Sequence, residues 1–308
     1  MNWVKKKNLP AIKAIYHEGQ PCNNLTALWN ALHSSYNSAK NRPINTRFLE
    51  GINQCNDIEW PSFTCQEFVD AIAKCLNVSA LGPNHITWRH LKLLVQDRVC
   101  LRNIVNIANA CIIVSYWPDQ FKDATLVIIP KPNKTIYNTP KVFRPIILLN
   151  TMSKLIEKVI SHHLQFHLSA NRFLDSNQLG GIRQCSTIDA GMYLTYIIHT
   201  GWAKECHTSV IAFDIAQFFP SLNHSFLSLC LEKAGLNANI LKFFQSYYSN
   251  RSTTYGWNNF TSQKFTTSVG IGQGSALSSI LSAIYLAPII KTFKKTKKKH
   301  TYKHSFFY

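Results

Sequence analysis

The sequence predicts an α+β protein with helices packed on an antiparallel sheet, and three observations carry that expectation. Met152, Leu155, Ile156, Val159, Ile160 and Leu164 form an apolar stripe at helical spacing within NTMSKLIEKVISHHLQFHL. ATLVIIP and TSVIAFD, the latter at residues 208–214, are uninterrupted apolar segments of strand length, rich in β-branched side chains. The Thr- and aromatic-rich tract from Thr254 to Val269 reads as two strands with a turn near Asn258-Asn259.

Composition narrows the class. A chain of 308 residues that is 46% hydrophobic has ample material for a buried core, which excludes wholesale disorder. Lys and Arg total 33 against 15 Asp and Glu, and the net charge of +18 favours a polyanionic partner such as nucleic acid. The 9 cysteines form no CxxC pair, against a zinc ribbon or disulfide framework. No run of eighteen apolar residues occurs, so the expectation is no membrane span, no secretion, and an intracellular location in nucleus or cytoplasm.

Taken in order, residues 1–60 are polar and Asn-rich, with weak helical stretches around Leu25 to Leu32, and read as an N-terminal extension or linker. Phe68, Ile72 and Leu76 predict a helix over 64–76, ended by the turn chemistry of Gly82, Pro83 and Asn84 in SALGPN. A second helical run covers about 88–116 and stops at Trp117-Pro118. Asn150 is placed to cap the helix bearing the 152–164 stripe. The strand at 208–214 puts Asp214 at its end; Pro220 then breaks the chain, and a helix runs from Asn223 towards a Gly235 cap. Gly270, Gly272 and Gly274 introduce an apolar helix over 276–290.

Several side chains invite chemistry. A carboxylate leaving a buried strand, as in VIAFDIAQFFPSLNH, is held rigidly enough to ligate a cation, although Asp214 alone also reads as a strand-capping acid. Arg144 offers a planar fork for phosphate, and Lys131 and Lys134 offer point charges. Gly-Gln-Gly at 272–274 before a helix favours nearby phosphate, though as a tripeptide it is ordinary loop composition. His163 and His167 share a helix face without a third ligand, which predicts a solvated histidine face. Trp88, Trp117 and Trp202 have core or interface packing as their default.

These blocks occur in the order of a known family. ATLVIIPKPNK, VFRPIILLNTMSKLIEKVI, QLGGIRQCSTIDA, VIAFDIAQFFPSLNH and SVGIGQGSALSSILSAIYL together resemble the reverse transcriptases of retrotransposons lacking long terminal repeats, across about residues 60–291. SALGPN is similar to the block that usually reads Ala-Pro-Gly-Pro-Asp, with Leu81 and Asn84 in place of the first Pro and the Asp, which implies a less rigid turn. The resemblance implies an incomplete right-hand polymerase fold: fingers-like residues 61–207 with the start of the palm, a partial palm at 208–290, and a basic tail at 291–308. It also implies roles. Asp214 becomes the catalytic metal ligand for Mg²⁺; Lys131, Lys134, Arg144, Phe218, Phe219, Gln273 and Gly274 bind the deoxynucleoside triphosphate; Gly180, Gly181 and Arg183 approach the template. The implied partners are an RNA template and a DNA primer, and one nucleotide should touch Asp214, Arg144 and Gln273 together.

The sequence also departs from the pattern. Family members carry an aromatic-x-Asp-Asp pair beyond the Gly-Gln-Gly block, whereas no Asp or Glu follows Glu232 here. One carboxylate cannot neutralise two adjacent cations, so the expectation is a fragment truncated before that motif and inactive by itself. The alternative is a non-catalytic RNA- or DNA-binding remnant.

Overall fold

The computed structural model describes residues 15–57, 59–257 and 260–297. Two short strands, β1 (Tyr16–His17) and β2 (Gln20–Pro21), precede α1 (Leu25–Tyr36). Asn24 caps α1 by accepting from the Ala27 amide, and Trp29, Leu32 and Tyr36 form its buried face.

α2 (Cys65–Ala73) opens on a capping box, in which Thr64 Oγ1 accepts from the Glu67 amide and the Glu67 carboxylate accepts from the Thr64 amide. The single helix expected over 88–116 is instead α3 (Trp88–Leu94) and α4 (Arg98–Ile113). Asp97 explains the break: its carboxylate accepts from the Cys100 amide and starts a new helix.

β3 (Asp123–Pro130) and β4 (Phe143–Leu149) form an antiparallel hairpin, and β5 (Arg251–Trp257) pairs with β6 (Phe260–Thr267) in the same way. The four join in the order β4-β3-β5-β6, with β3 and β5 parallel. The sheet is therefore mixed, a correction to the antiparallel expectation. Between β3 and β5 the chain passes through β4 and a long helical connection, which brings β5 back parallel to β3 as a single hairpin cannot. Pro145 is tolerated in β4 because that strand is an edge. The turn expected at Asn258-Asn259 lies outside the described residues.

α5 (Thr151–Ala170) carries the predicted stripe, with Leu155, Ile156, Val159, Ile160 and Leu164 fully buried. Asn150 holds the N-cap position of this helix, as expected, but its side chain makes no cap bond. Its Oδ1 accepts from the Asn84 amide at 3.2 Å and its Nδ2 donates to the Gln120 carbonyl at 2.7 Å, which pins the SALGPN turn to the start of α5. α6 (Thr187–Trp202) has a Ser186–Asp189 capping box yet buries none of its residues.

The strand expected at 208–214 does not form. The segment has no regular structure and no ladder partner among the described residues; Val210, Ile211 and Phe213 are 59%, 75% and 77% exposed. β-propensity needs a neighbouring strand to act on, and neither sheet edge, β4 or β6, pairs with this segment. The Phe213 ring lies 6.4 Å from the Phe293 ring.

α7 (Phe218–Ser221), α8 (His224–Lys233), α9 (Ala238–Tyr248) and α10 (Ser278–Lys297) complete the fold. Asn223 caps α8 through the Phe226 amide, and Gly235 takes the left-handed conformation expected after its end, at φ +82°. α2 to α5 and α8 to α10 enclose the main core, and α1 packs on β3, β4 and β5 to make a second, smaller one. Trp88 and Trp117 are buried in the main core, whereas Trp202 is 61% exposed. Residues 298–308 of the basic tail lie outside the described residues. Among the described residues no helix is long and apolar enough to cross a membrane.

Candidate functional site

Edge strand β4, helix α7 and the glycine-rich segment before α10 meet at one place. The Ile147 amide donates to the Gln273 carbonyl at 2.8 Å. The Ile271 amide donates to the Phe219 carbonyl at 2.9 Å and the Gly270 amide to the Leu222 carbonyl at 2.7 Å. His224 bonds the Gly270 carbonyl at 2.7 Å, and burial holds its imidazole below the usual value. Gly274 stands at φ +128° with its α-carbon directly against the Ile147 carbonyl, a position with no room for a side chain. The three blocks are thus tied by backbone bonds.

They wall one open cleft. Pro145 and Ile147 contribute from β4, Pro220 from α7, Gly272 and Gln273 from the turn, and Arg251, Ser252 and Thr253 from β5. His33, Tyr36 and Asn37, at the end of α1, close it from the other side. Asn37 Oδ1 is buried without a hydrogen-bond partner, and Ser38 Oγ reaches Gln217 Oε1 at 3.4 Å, linking this end of α1 to the residue before α7.

A buried network lies beneath the turn. Glu157, fully buried in α5, accepts at Oε2 from Ser275 Oγ (2.7 Å) and the Ala276 amide (3.0 Å), and at Oε1 from Tyr247 Oη (3.0 Å). Ser275 Oγ accepts in turn from the Leu277 amide at 3.1 Å. Burial pushes the Glu157 carboxyl up from the usual range, opposed by the Arg251 charge and by these donors. Arg251 lies over the Tyr247 ring at 4.9 Å. The Ala276 and Leu277 amides that lead into α10 are thus occupied by Glu157 and Ser275.

The sequence-selected residues fall in different places. Gln273 lines the cleft, with Gly274 beside it. Phe218 and Phe219 pack half-buried against the main core, their rings 5.7 Å apart. Arg144 is exposed and, by strand alternation, stands on the face of β4 opposite Pro145 and Ile147. Lys131 Nζ donates to the Lys141 carbonyl at 2.8 Å, and Lys134 is exposed in the loop between β3 and β4. Gly181, at φ +73°, packs against the Ser279 carbonyl of α10, with Gly180 half-buried and Arg183 exposed beside it. Asp214 lies in the exposed irregular segment. Of Asp214, Arg144 and Gln273, only Gln273 lines the cleft.

The histidine pair is not a solvated face. His163 Nε2 pairs with Glu67 at 2.5 Å with a side chain only 9% exposed, and buried His167 bonds the Gly235 carbonyl at 3.2 Å. Both pack on Trp60, which the sequence spacing did not show. Among the described residues no group of three or more His, Cys, Asp or Glu side chains is placed to hold a metal. Reverse transcriptases generally use a divalent metal, and the described side chains do not fit one.

Sequence reasoning missed Glu157, Tyr247, Ser275 and the α1 wall. One signal was present for Glu157, which follows Ser153 and precedes Ile160 and Leu164 at helical spacing, an acid inside the apolar stripe.

A hairpin with basic residues, an aromatic pair before Pro220 and a Gly-Gln-Gly-Ser turn follow one another in this order in a mixed α+β fold. The family model "Reverse transcriptase (RNA-dependent DNA polymerase)" matches residues 129–307, more than half of the chain, and the protein belongs to that family. Its relatives are enzymes of retrotransposons lacking long terminal repeats. It is 27% identical over 70% of its length to "Probable RNA-directed DNA polymerase from transposon BS" of Drosophila melanogaster, and 25% identical over 74% to that of transposon X-element of the same fly. The "RNA-directed DNA polymerase from mobile element jockey" of Drosophila funebris is 24% identical over 70% of the chain. The alignments cover 23%, 25% and 23% of those proteins, so the chain spans about a quarter of each.

Proposed function

We propose that this chain is the fingers and part of the palm of a retrotransposon reverse transcriptase, an incomplete right-hand fold whose ancestral reaction is RNA-templated DNA synthesis. One observation carries the reading: the Ile147–Gln273 and Ile271–Phe219 backbone bonds gather the hairpin, aromatic and glycine-turn blocks round one cleft. In this reading Gln273 and Gly274 face the incoming deoxynucleotide, and Phe219 limits space at its sugar. Lys131, Lys134 and Arg144, outside the cleft, attract the nucleic-acid backbone, and Gly180, Gly181 and Arg183 approach the template. In the family's complete arrangement Asp214 would hold a divalent metal, Mg²⁺ being the ion expected, but in this chain it stands in an exposed irregular segment without such a cluster among the described residues.

By itself the chain binds without turnover, as the non-catalytic reading holds. The exposed, irregular Asp214 segment favours that outcome. Primer extension on an RNA template by the purified chain, run beside RNA binding, tests it. The expected result is salt-sensitive RNA binding on the order of micromolar with no extension; templated extension would restore an active enzyme, and absence of both would remove the nucleic-acid reading.

A further inference from the structure

The turn that presents Gln273 closes locally through the Ser275 amide and the Gly272 carbonyl at 3.0 Å, and its place against the rest of the fold is set from outside. Gly272 and Gly274 confer freedom, and Gly274 adopts φ +128°. Left to themselves, such residues sample many conformations. Two external ties fix the turn: Ile147 of β4 takes the Gln273 carbonyl, and Glu157 of α5 takes Ser275 and Ala276.

Glu157 is an expensive residue for a mere packing role. A carboxylate removed from water costs several kcal/mol unless donors replace its hydration, and an aliphatic side chain at the same site would carry no such cost. Here three donors converge on it from two other parts of the chain, Tyr247 of α9 and the pair Ser275 and Ala276. The Tyr247 and Ser275 oxygens also lie 2.9 Å apart, so the two hydroxyls and the acid form a closed triangle. Its members do not line the cleft, while Arg251, which lies over Tyr247, does.

We propose that Glu157 is a positioning residue, which with Tyr247 and Ser275 locks the 272–276 turn so that Gln273 is presented to the nucleotide cleft. The inference rests on the reading of Gln273 as a nucleotide contact. Glu157 acts entirely through the turn and touches no ligand.

The test uses the full chain and the variants Glu157→Gln and Ser275→Ala. Glu157→Gln keeps the volume but sets an amide N–H₂ against the turn's donors; Ser275→Ala removes one donor of three. Amide exchange is read at 273–277, in β3 and β4, and in α4. Binding of a poly(rA)–oligo(dT) hybrid is measured with and without dTTP. In Glu157→Gln, exchange at 273–277 should speed up at least about tenfold, with β3, β4 and α4 unchanged. Hybrid affinity should hold while its enhancement by dTTP is lost, and Ser275→Ala should show the same pattern at smaller size. Unchanged exchange at 273–277 overturns the proposal, as does equal acceleration in all the segments, which marks a general packing role. If the unsubstituted chain shows no dTTP effect, the proposed function fails at Gln273, and the exchange pattern alone still decides whether Glu157 locks the turn.

Discussion

The Ile147 amide donates to the Gln273 carbonyl across 2.8 Å, joining an edge strand to a turn 126 residues later in the chain. β4 therefore serves two neighbours: β3 along one side through the hairpin ladder, and the glycine turn on the other. The cleft exists because of this second pairing.

Gly274→Ala should break the arrangement. The substitution puts a Cβ into the Ile147 carbonyl and forces an L side chain to φ +128°. A loss of at least about 1–3 kcal/mol is expected, read as a lower urea midpoint with unchanged slope.

Trp117→Ala tests the main core. The indole is fully buried against Phe121, Phe243 and Tyr247, joining the end of α4 to α9. Removing it should cost about 3–5 kcal/mol in chemical unfolding.

Glu67 predicts an acid limb. Burial raises its carboxyl, but the Thr64 amide, His163 and the Thr64 hydroxyl outweigh that and hold it below the usual value. The folded state thus binds fewer protons than the unfolded state between the two values, and stability rises with pH there. The contribution is complete above the ordinary glutamate value and lost as pH falls through the depressed one. Glu67→Gln should flatten that limb of the stability curve, while a curve of unchanged shape would assign it to other acids.

Arg144 and Lys134 are exposed basic residues of the β3–β4 hairpin region. If they meet nucleic-acid phosphates, alanine at either should reduce the slope of log affinity against log salt by about 0.7–0.9. An unchanged slope would show that the contact lies elsewhere.

Periodicity made the helices legible where a stripe repeats at one period, as in α5, or where a cap and a glycine bracket the segment, as in α8. It failed where a local hydrogen bond overrides the pattern. Asp97 divides the 88–116 run because its side chain competes for the helix amides. β4 was invisible as a strand because Pro145 argues against one until its place at the sheet edge is known. TSVIAFD showed the reverse failure, since a strand sequence without a ladder partner leaves an exposed extended segment.

At the site, the glycine turn was legible and its supports were not. Gln273 stands out between two glycines, whereas Tyr247 and Asn37 reach the same region from α9 and from the end of α1 by tertiary contact alone. Arg144 was selected for its chemistry, yet strand alternation turns it away from the cleft face.

Amide exchange of the whole chain with and without a saturating RNA–DNA hybrid and the matching deoxynucleotide addresses the cleft directly. The account predicts slowed exchange in β4, at 218–222 and at 269–276, with α4 and the far side of the main core unaffected. Bound hybrid with unaltered exchange in those three segments would contradict it.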